Sequence, residues 1–329
     1  MIKALREKSF FAVIILVVTC ILVHYHLLMQ PISFASNDVG FLNKFISEYQ
    51  NKLLPQAWTV IYFAIIFSQA LQLNFLLGNG KMFTKNGFTT AFAYLLLTGV
   101  VREFYCISAV LLINSLLIWI FAKIISLYNH PQPKTILFNI GLLVSICIAL
   151  YPPSIVLVLF VLFGYSIMRP FRVTDFFVLL LGLLSVFYVV VSILFLQDKL
   201  PTAKQFIPNF YISFPTPKKV DYFYWLNIGT LFLVFIIGFL AFLPNSNRMV
   251  IQSRKNWAVM LLLFAVLCVH SFMFNYNTVY CLFLITTPIA SFYSNSLLYS
   301  KKLFFVYVIL LFLISIIAYN NYYWLTNSI

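Results

Sequence analysis

Eleven apolar runs, most of them long enough to cross a bilayer, account for nearly all of the 329 residues of this chain. They fall at about 10–29, 57–77, 88–101, 104–126, 135–151, 154–168, 175–196, 222–243, 257–274, 279–299 and 303–320. A hydrocarbon layer about 30 Å thick needs roughly 20 apolar residues as helix, and backbone polar groups in lipid must bond internally, so each long run is expected to be helical. With 63% hydrophobic and 9% charged residues, the chain carries too little charge to cover a water-soluble domain. The runs therefore predict an all-α, polytopic integral membrane protein. It reads as one transmembrane domain over residues 1–329, with two substantial external connections at 30–56 and 197–221. The runs at 88–101, 135–151 and 154–168 are short and read as tilted or partial crossings. Tyr151-Pro152-Pro153-Ser154 must part the fifth run from the sixth, since proline lacks a donor and restricts the residue before it.

Basic residues set the orientation. With the amino terminus in the cytoplasm, fourteen Lys and Arg fall on the inner side, from Lys3, Arg6 and Lys8 to Lys301 and Lys302, against seven on the outer side. An inner amino terminus, an outer carboxyl terminus and an odd number of crossings follow. The formal net charge of +14 is then a topological signal and an attraction to anionic lipid, and needs no nucleic acid as partner. The first run follows three basic residues as a signal peptide would, but it is about 20 residues long with ten runs behind it, so it is expected to remain as an uncleaved helix. Cys20, Cys106, Cys147, Cys268 and Cys281 lie in or beside apolar runs without C-x-x-C spacing, as small buried hydrophobes do. No internal repeat is visible, which weighs against a transporter built from inverted halves.

Chemistry is left to a few polar residues. The first external connection offers Ser36 or Asn37 as a helix cap, with Phe41, Leu42, Phe45 and Leu53 at near-helical spacing opposite Lys44, Glu48 and Lys52. That pattern predicts a short helix lying flat on the membrane, with Asp38 at its start. The next outer turn is nearly absent: Val100-Val101 runs straight into Arg102-Glu103. A charged pair between apolar helices needs water, a partner or a substrate; otherwise Arg102 snorkels to lipid phosphate and Asp38 is a plain cap. The second long connection sets Lys199, Lys204, Lys218 and Lys219 among prolines and aromatics, a stiff basic flap suited to a phosphate, a sugar or ordinary phospholipid. Gln69 and Gln72 are three apart and share a helix face, which predicts interhelical hydrogen bonds or a lined cavity. His26, near the outer interface with His24 and Tyr25, is a third candidate to line such a cavity; the two histidines, two apart on a helix, face different ways and do not suggest a metal pair. Thr286, Thr287 and Pro288 are expected to interrupt the tenth run. No Asp or Glu lies near mid-span, which removes the usual proton relay of ion-coupled pumps.

A first span, an acidic residue just outside it, an interfacial helix and a second charged external turn between spans three and four together resemble the C-type polytopic glycosyltransferases. The resemblance implies hexosyl transfer from a polyprenyl-phosphate-linked sugar at the external face, with Asp38 and Glu103 as catalytic carboxylates. Asp38 would take the proton of the acceptor hydroxyl, and Arg102 with the four flap lysines would meet the substrate phosphate. No metal or other cofactor is expected. The chain departs from the family's pattern in carrying Asn37-Asp38 where many members have an acidic pair, and in showing no large soluble carboxyl-terminal domain. Separately, Tyr151-Pro152-Pro153-Ser154 and Met168-Arg169-Pro170-Phe171-Arg172 are similar to an uncharacterised family of inner-membrane proteins of Bacteroidota, which implies a bacterial inner membrane. Two other classes stay open: a non-enzymatic accessory or scaffold subunit with protein partners in an envelope assembly or secretion complex, and a lipid or glycan translocator or polymerase.

Overall fold

Helices occupy all eleven runs in the computed structural model, which describes residues 2–30, 32–34, 52, 54–85, 87–198, 222–272, 278–300 and 303–327. The chain opens with α1 (Ile2–Leu5), α2 (Phe10–Val23) and the single turn α3 (His26–Met29). Ser9 starts α2 by accepting the Ala12 N–H at its side-chain oxygen, 3.2 Å away, which satisfies one orphan donor of the first turn. Next come α4 (Pro55–Asn79), α5 (Thr89–Thr98), α6 (Ala109–Ser126) and α7 (Pro133–Leu150). Proline opens α4 and α7, where its missing N–H would have had no helical partner anyway. A 3₁₀ turn (Pro152–Val156) leads into α8 (Leu157–Met168), and then follow α9 (Val173–Leu196), α10 (Tyr222–Ser246), α11 (Ile251–Phe272), α12 (Thr278–Tyr299) and α13 (Leu303–Asn327). Among the described residues, strand is confined to a two-residue parallel bridge, β1 (Ser33–Phe34) against β2 (Cys106–Ile107).

Among the described residues, eight helices, α4, α6, α7 and α9 to α13, are long and apolar enough to cross a membrane; α2, α5 and the Pro152–Met168 segment are apolar but shorter. The fifth run, expected to be short, gives the full 18 residues of α7. The first run, expected to reach residue 29 unbroken, stops at Val23, because His24 leaves helical geometry (φ −111°, ψ 31°). The fourth does not begin at residue 104: residues 99–108 form an irregular connection holding a 3₁₀ turn (Arg102–Phe104) and β2. Val100, Val101, Phe104 and Ile107 are buried there, so their apolar character marks contact with protein rather than helix in lipid. The tenth run is not interrupted either: Pro288 sits inside a continuous α12.

That helix is the axis of the bundle. The spanning stretch of α12 is wholly buried, and α4, α5, α6, α10 and α11 pack around it. Its polar residues are the reason. Thr287 donates to Asn114 Oδ1 on α6 at 2.8 Å, Asn114 donates to the Tyr94 hydroxyl on α5 at 2.7 Å, and Tyr94 donates to Gln69 Oε1 on α4 at 2.6 Å. Four helices are thereby tied by side-chain hydrogen bonds at a depth where water does not compete. The opposite case is α9, whose spanning stretch is only 11% buried and which packs chiefly on α7. In lipid, apolar surface does not drive a helix inward, so the polar helix takes the centre and the greasy one the rim. Contact of α9 with α7 depends on glycine. A Cβ on Gly141 would stand 2.4 Å from the Leu179 carbonyl oxygen, and one on Gly182 2.4 Å from that of Phe138. The turn that leads into α9 is pinned by Tyr165, whose hydroxyl donates to the buried Asp175 at 2.9 Å and accepts the Arg172 N–H at 3.2 Å.

Candidate functional site

Arg102 and Glu103 stand in a cavity of about 590 Å³ at the end of the bundle where α10 and α12 begin and α13 finishes. Its wall also includes Tyr105, Tyr224, Tyr280, Tyr323 and Trp324, brought together from the irregular connection and three separate helices. The connection is clamped from several sides. Tyr105 donates its hydroxyl to the Gly99 carbonyl at 2.6 Å, Tyr62 on α4 donates to that of Phe104 at 3.1 Å, and Asn320 on α13 donates to that of Val100 at 2.7 Å. β1 pairs with β2 on the remaining side, carrying Ser33 and Phe34 into the cavity wall. These bonds hold a non-helical backbone rigid enough to aim two charged side chains.

The electrostatics of the pair are asymmetric. The Arg102 guanidinium lies over the Tyr323 ring, 4.1 Å from its centroid, a cation–π seat that leaves it 9% exposed. Glu103 Oε2 is buried and has no hydrogen-bond partner. Burial pushes the Glu103 carboxyl above the usual carboxylate range, opposed by its own backbone N–H and by the Arg102 charge. A carboxyl with raised proton affinity, a seated cation and several aromatic faces converging on one cavity make it the candidate functional site. Among the described residues, no three His, Cys, Asp or Glu side chains are grouped to hold a metal ion.

Residues 1–326 match a family described as a family of unknown function, DUF6427. The chain belongs to DUF6427. No curated protein and no solved structure matches it.

Of the site residues expected from sequence, this DUF6427 member brings Arg102 and Glu103 into one cavity. Asp38 and the flap residues Lys199, Lys204, Lys218 and Lys219 lie outside the described residues, as does the expected interfacial helix after Asp38. His26 packs beneath the cavity floor, its ring 4.2 Å from that of Tyr105 and 5.8 Å from that of Trp324. Gln69 and Gln72 part company. Gln69 is buried and spent on hydrogen bonds, its amide donating to the Leu111 carbonyl at 2.6 Å and to Ser115 at 2.8 Å. Gln72 borders a second cavity, at the other end of α4. Tyr224, Tyr280, Tyr323 and Trp324 were not singled out from sequence. Aromatic residues near span ends read as an ordinary interfacial belt, and nothing local distinguishes the ones that turn inward.

Proposed function

We propose that this DUF6427 chain is a glycosyltransferase-like protein of the bacterial inner membrane, acting on a polyprenyl-phosphate-linked sugar at the external face. One observation carries the reading: a half-buried carboxyl, one of whose oxygens has no hydrogen-bond partner, and a seated guanidinium share one aromatic-walled cavity. Aromatic faces suit a sugar ring, and a guanidinium suits a phosphate. In the transfer, an acceptor hydroxyl oxygen bonds to the anomeric carbon as the bond from that carbon to the phosphate oxygen breaks. The hydroxyl proton passes to Glu103, and the departing polyprenyl phosphate carries its charge toward Arg102. The resemblance noted above keeps Asp38, which lies outside the described residues, in the scheme as a second carboxylate. The inner membrane is supported by the span-rich chain and the likeness of its proline and arginine motifs noted above.

The test is release of polyprenyl phosphate from polyprenyl-phosphate glucose and polyprenyl-phosphate mannose by the purified full chain in vesicles that also contain a bacterial envelope glycolipid extract as hydroxyl acceptor, followed against pH. Release should rise with pH to a plateau, with its midpoint above the ordinary glutamate value of about 4.3, because the base must lose its proton and holds it more tightly than usual. Retention of both lipids intact at every pH would leave the cavity without the proposed chemistry. Release that is flat from pH 4 to 8 would take Glu103 out of the base role.

A further inference from the structure

At the opposite end of α4 from the aromatic cavity, two further cavities meet. One is an apolar groove of about 700 Å³ between α4 and α6, walled by Leu71, Phe75, Leu76, Ile118 and Trp119 and reaching Asn256 at the start of α11. Phe75 and Trp119 are half exposed, so the groove opens sideways, toward the lipid in a membrane-spanning chain. The other is a small polar cavity of about 60 Å³, lined by Lys8, Asn74, Lys85, Thr89 and Thr90 at the amino-terminal end of α5. Phe75 and Asn79 belong to the walls of both, so the polar cavity and the apolar groove adjoin across one face of α4.

We propose that this pair of cavities holds one anionic phospholipid, its phosphate between Lys8 and Lys85 and one acyl chain in the groove between α4 and α6. The division of chemistry selects the occupant. Two ammonium groups, two threonines and the amino-terminal end of a ten-residue helix, one of whose first N–H groups (Ala91) is already taken by Asn74 Oδ1, favour an anion, and a cavity of this size takes a group comparable to a phosphate. Glu7 neighbours Lys8 in sequence but does not line the cavity. A free ion would leave the adjoining groove, which is within the size range of ligand pockets, without an occupant; a hydrocarbon chain fills it. Two polar residues of the groove wall, Gln72 and Asn256, keep their oxygens buried. Asn256 is fully buried and its Oδ1 has no donor, while its amide is committed to the Gly80 carbonyl at 2.8 Å; Gln72 Oε1 is likewise buried and unpaired. Phosphatidylglycerol, with a net negative charge, suits the two lysines, and zwitterionic phosphatidylcholine does not.

The experiment is a titration of the full chain in detergent with phosphatidylglycerol, phosphatidylcholine or inorganic phosphate, read by lipid adducts in native mass spectrometry and by the shift in melting temperature. Phosphatidylglycerol should bind as a single retained adduct and raise the melting temperature, with phosphatidylcholine at least tenfold weaker. The Lys8→Ala/Lys85→Ala double variant should weaken phosphatidylglycerol about 30-fold, the loss of two lysine–phosphate attractions. Ala122→Trp, which fills the groove and leaves both lysines in place, should weaken it as well. Equal binding of the two lipids, or unchanged binding in the double variant, would overturn the proposal. So would full stabilisation by inorganic phosphate together with an unaffected Ala122→Trp variant, which would leave a bare ion site.

Discussion

Glu103→Gln is expected to lower release of polyprenyl phosphate by about 100-fold or more, the contribution of a positioned general base, while the protein stays folded. The substitution keeps the side chain's shape and takes away only its ability to accept a proton. Folding should not suffer, and the sign follows from the raised proton affinity of the half-buried carboxyl. A carboxyl whose folded-state pKa lies above its unfolded value contributes stability below the ordinary carboxylate range and loses it as the pH climbs through the raised value. Above that raised value the parent holds an ionised Glu103 that is costly to bury, and the glutamine variant does not. The variant should therefore melt no lower than the parent at pH 8, and its advantage should shrink toward pH 4. A variant with undiminished transfer would remove Glu103 from the mechanism. Lost transfer accompanied by a lower melting temperature at pH 8 would point instead to a structural role.

The largest effect on folding is expected from Gly182→Leu. Its first side-chain carbon would stand 2.4 Å from the Phe138 carbonyl oxygen and 3.2 Å from the Gly141 Cα, backbone atoms with no side-chain rotamer to yield. The helices α7 and α9 must then move apart along their whole crossing. Because α9 packs chiefly on α7, its attachment to the bundle is lost with that contact. A cost of about 3 kcal/mol or more follows, at the top of the range for overpacking, and is read as loss of the monodisperse peak in detergent size exclusion and a sharply lower melting temperature. Gly229→Leu on α10 is the control, since a Cβ there meets nothing within 4 Å. Equal behaviour of the two variants would mean that the α7–α9 crossing is not held by close backbone approach.

Helix positions were legible in the sequence because lipid imposes a length and a composition on each crossing, and every apolar run became a helix. Burial was not legible. Where both the protein interior and the lipid are apolar, hydrophobicity no longer tells inside from outside, so neither the centrality of α12 nor the exposure of α9 could be read from apolar pattern. The better signal lay in polar residues: Asn114, Thr287 and Gln69 mark the faces that meet, and their clustering in space identifies the core. Residues 99–108 show the converse failure. Val100, Val101 and Phe104 extended an apolar run and made the turn look nearly absent, whereas they anchor an irregular connection inside protein. The site was half legible. Arg102 and Glu103 stood out by being charged between apolar stretches, but the aromatic residues that face them come from helices up to 222 positions away, and only folding joins them.

The proposed transfer requires the Arg102–Glu103 cavity to open on the external side of the membrane, opposite the end that bears the apolar groove. Ser33 lines that cavity and Ser126 lines the groove, and the 18 residues of α6, about 27 Å of helix, lie between the two levels. The direct measurement is labelling of Ser33→Cys and Ser126→Cys by a membrane-impermeant maleimide in intact cells with a permeabilised outer membrane, with the labelled cysteine located by mass spectrometry. Labelling at residue 33, and at residue 126 only after the inner membrane is opened, is the predicted result. Labelling at residue 126 in intact cells with residue 33 silent would place the cavity on the cytoplasmic side and rule out transfer at the external face.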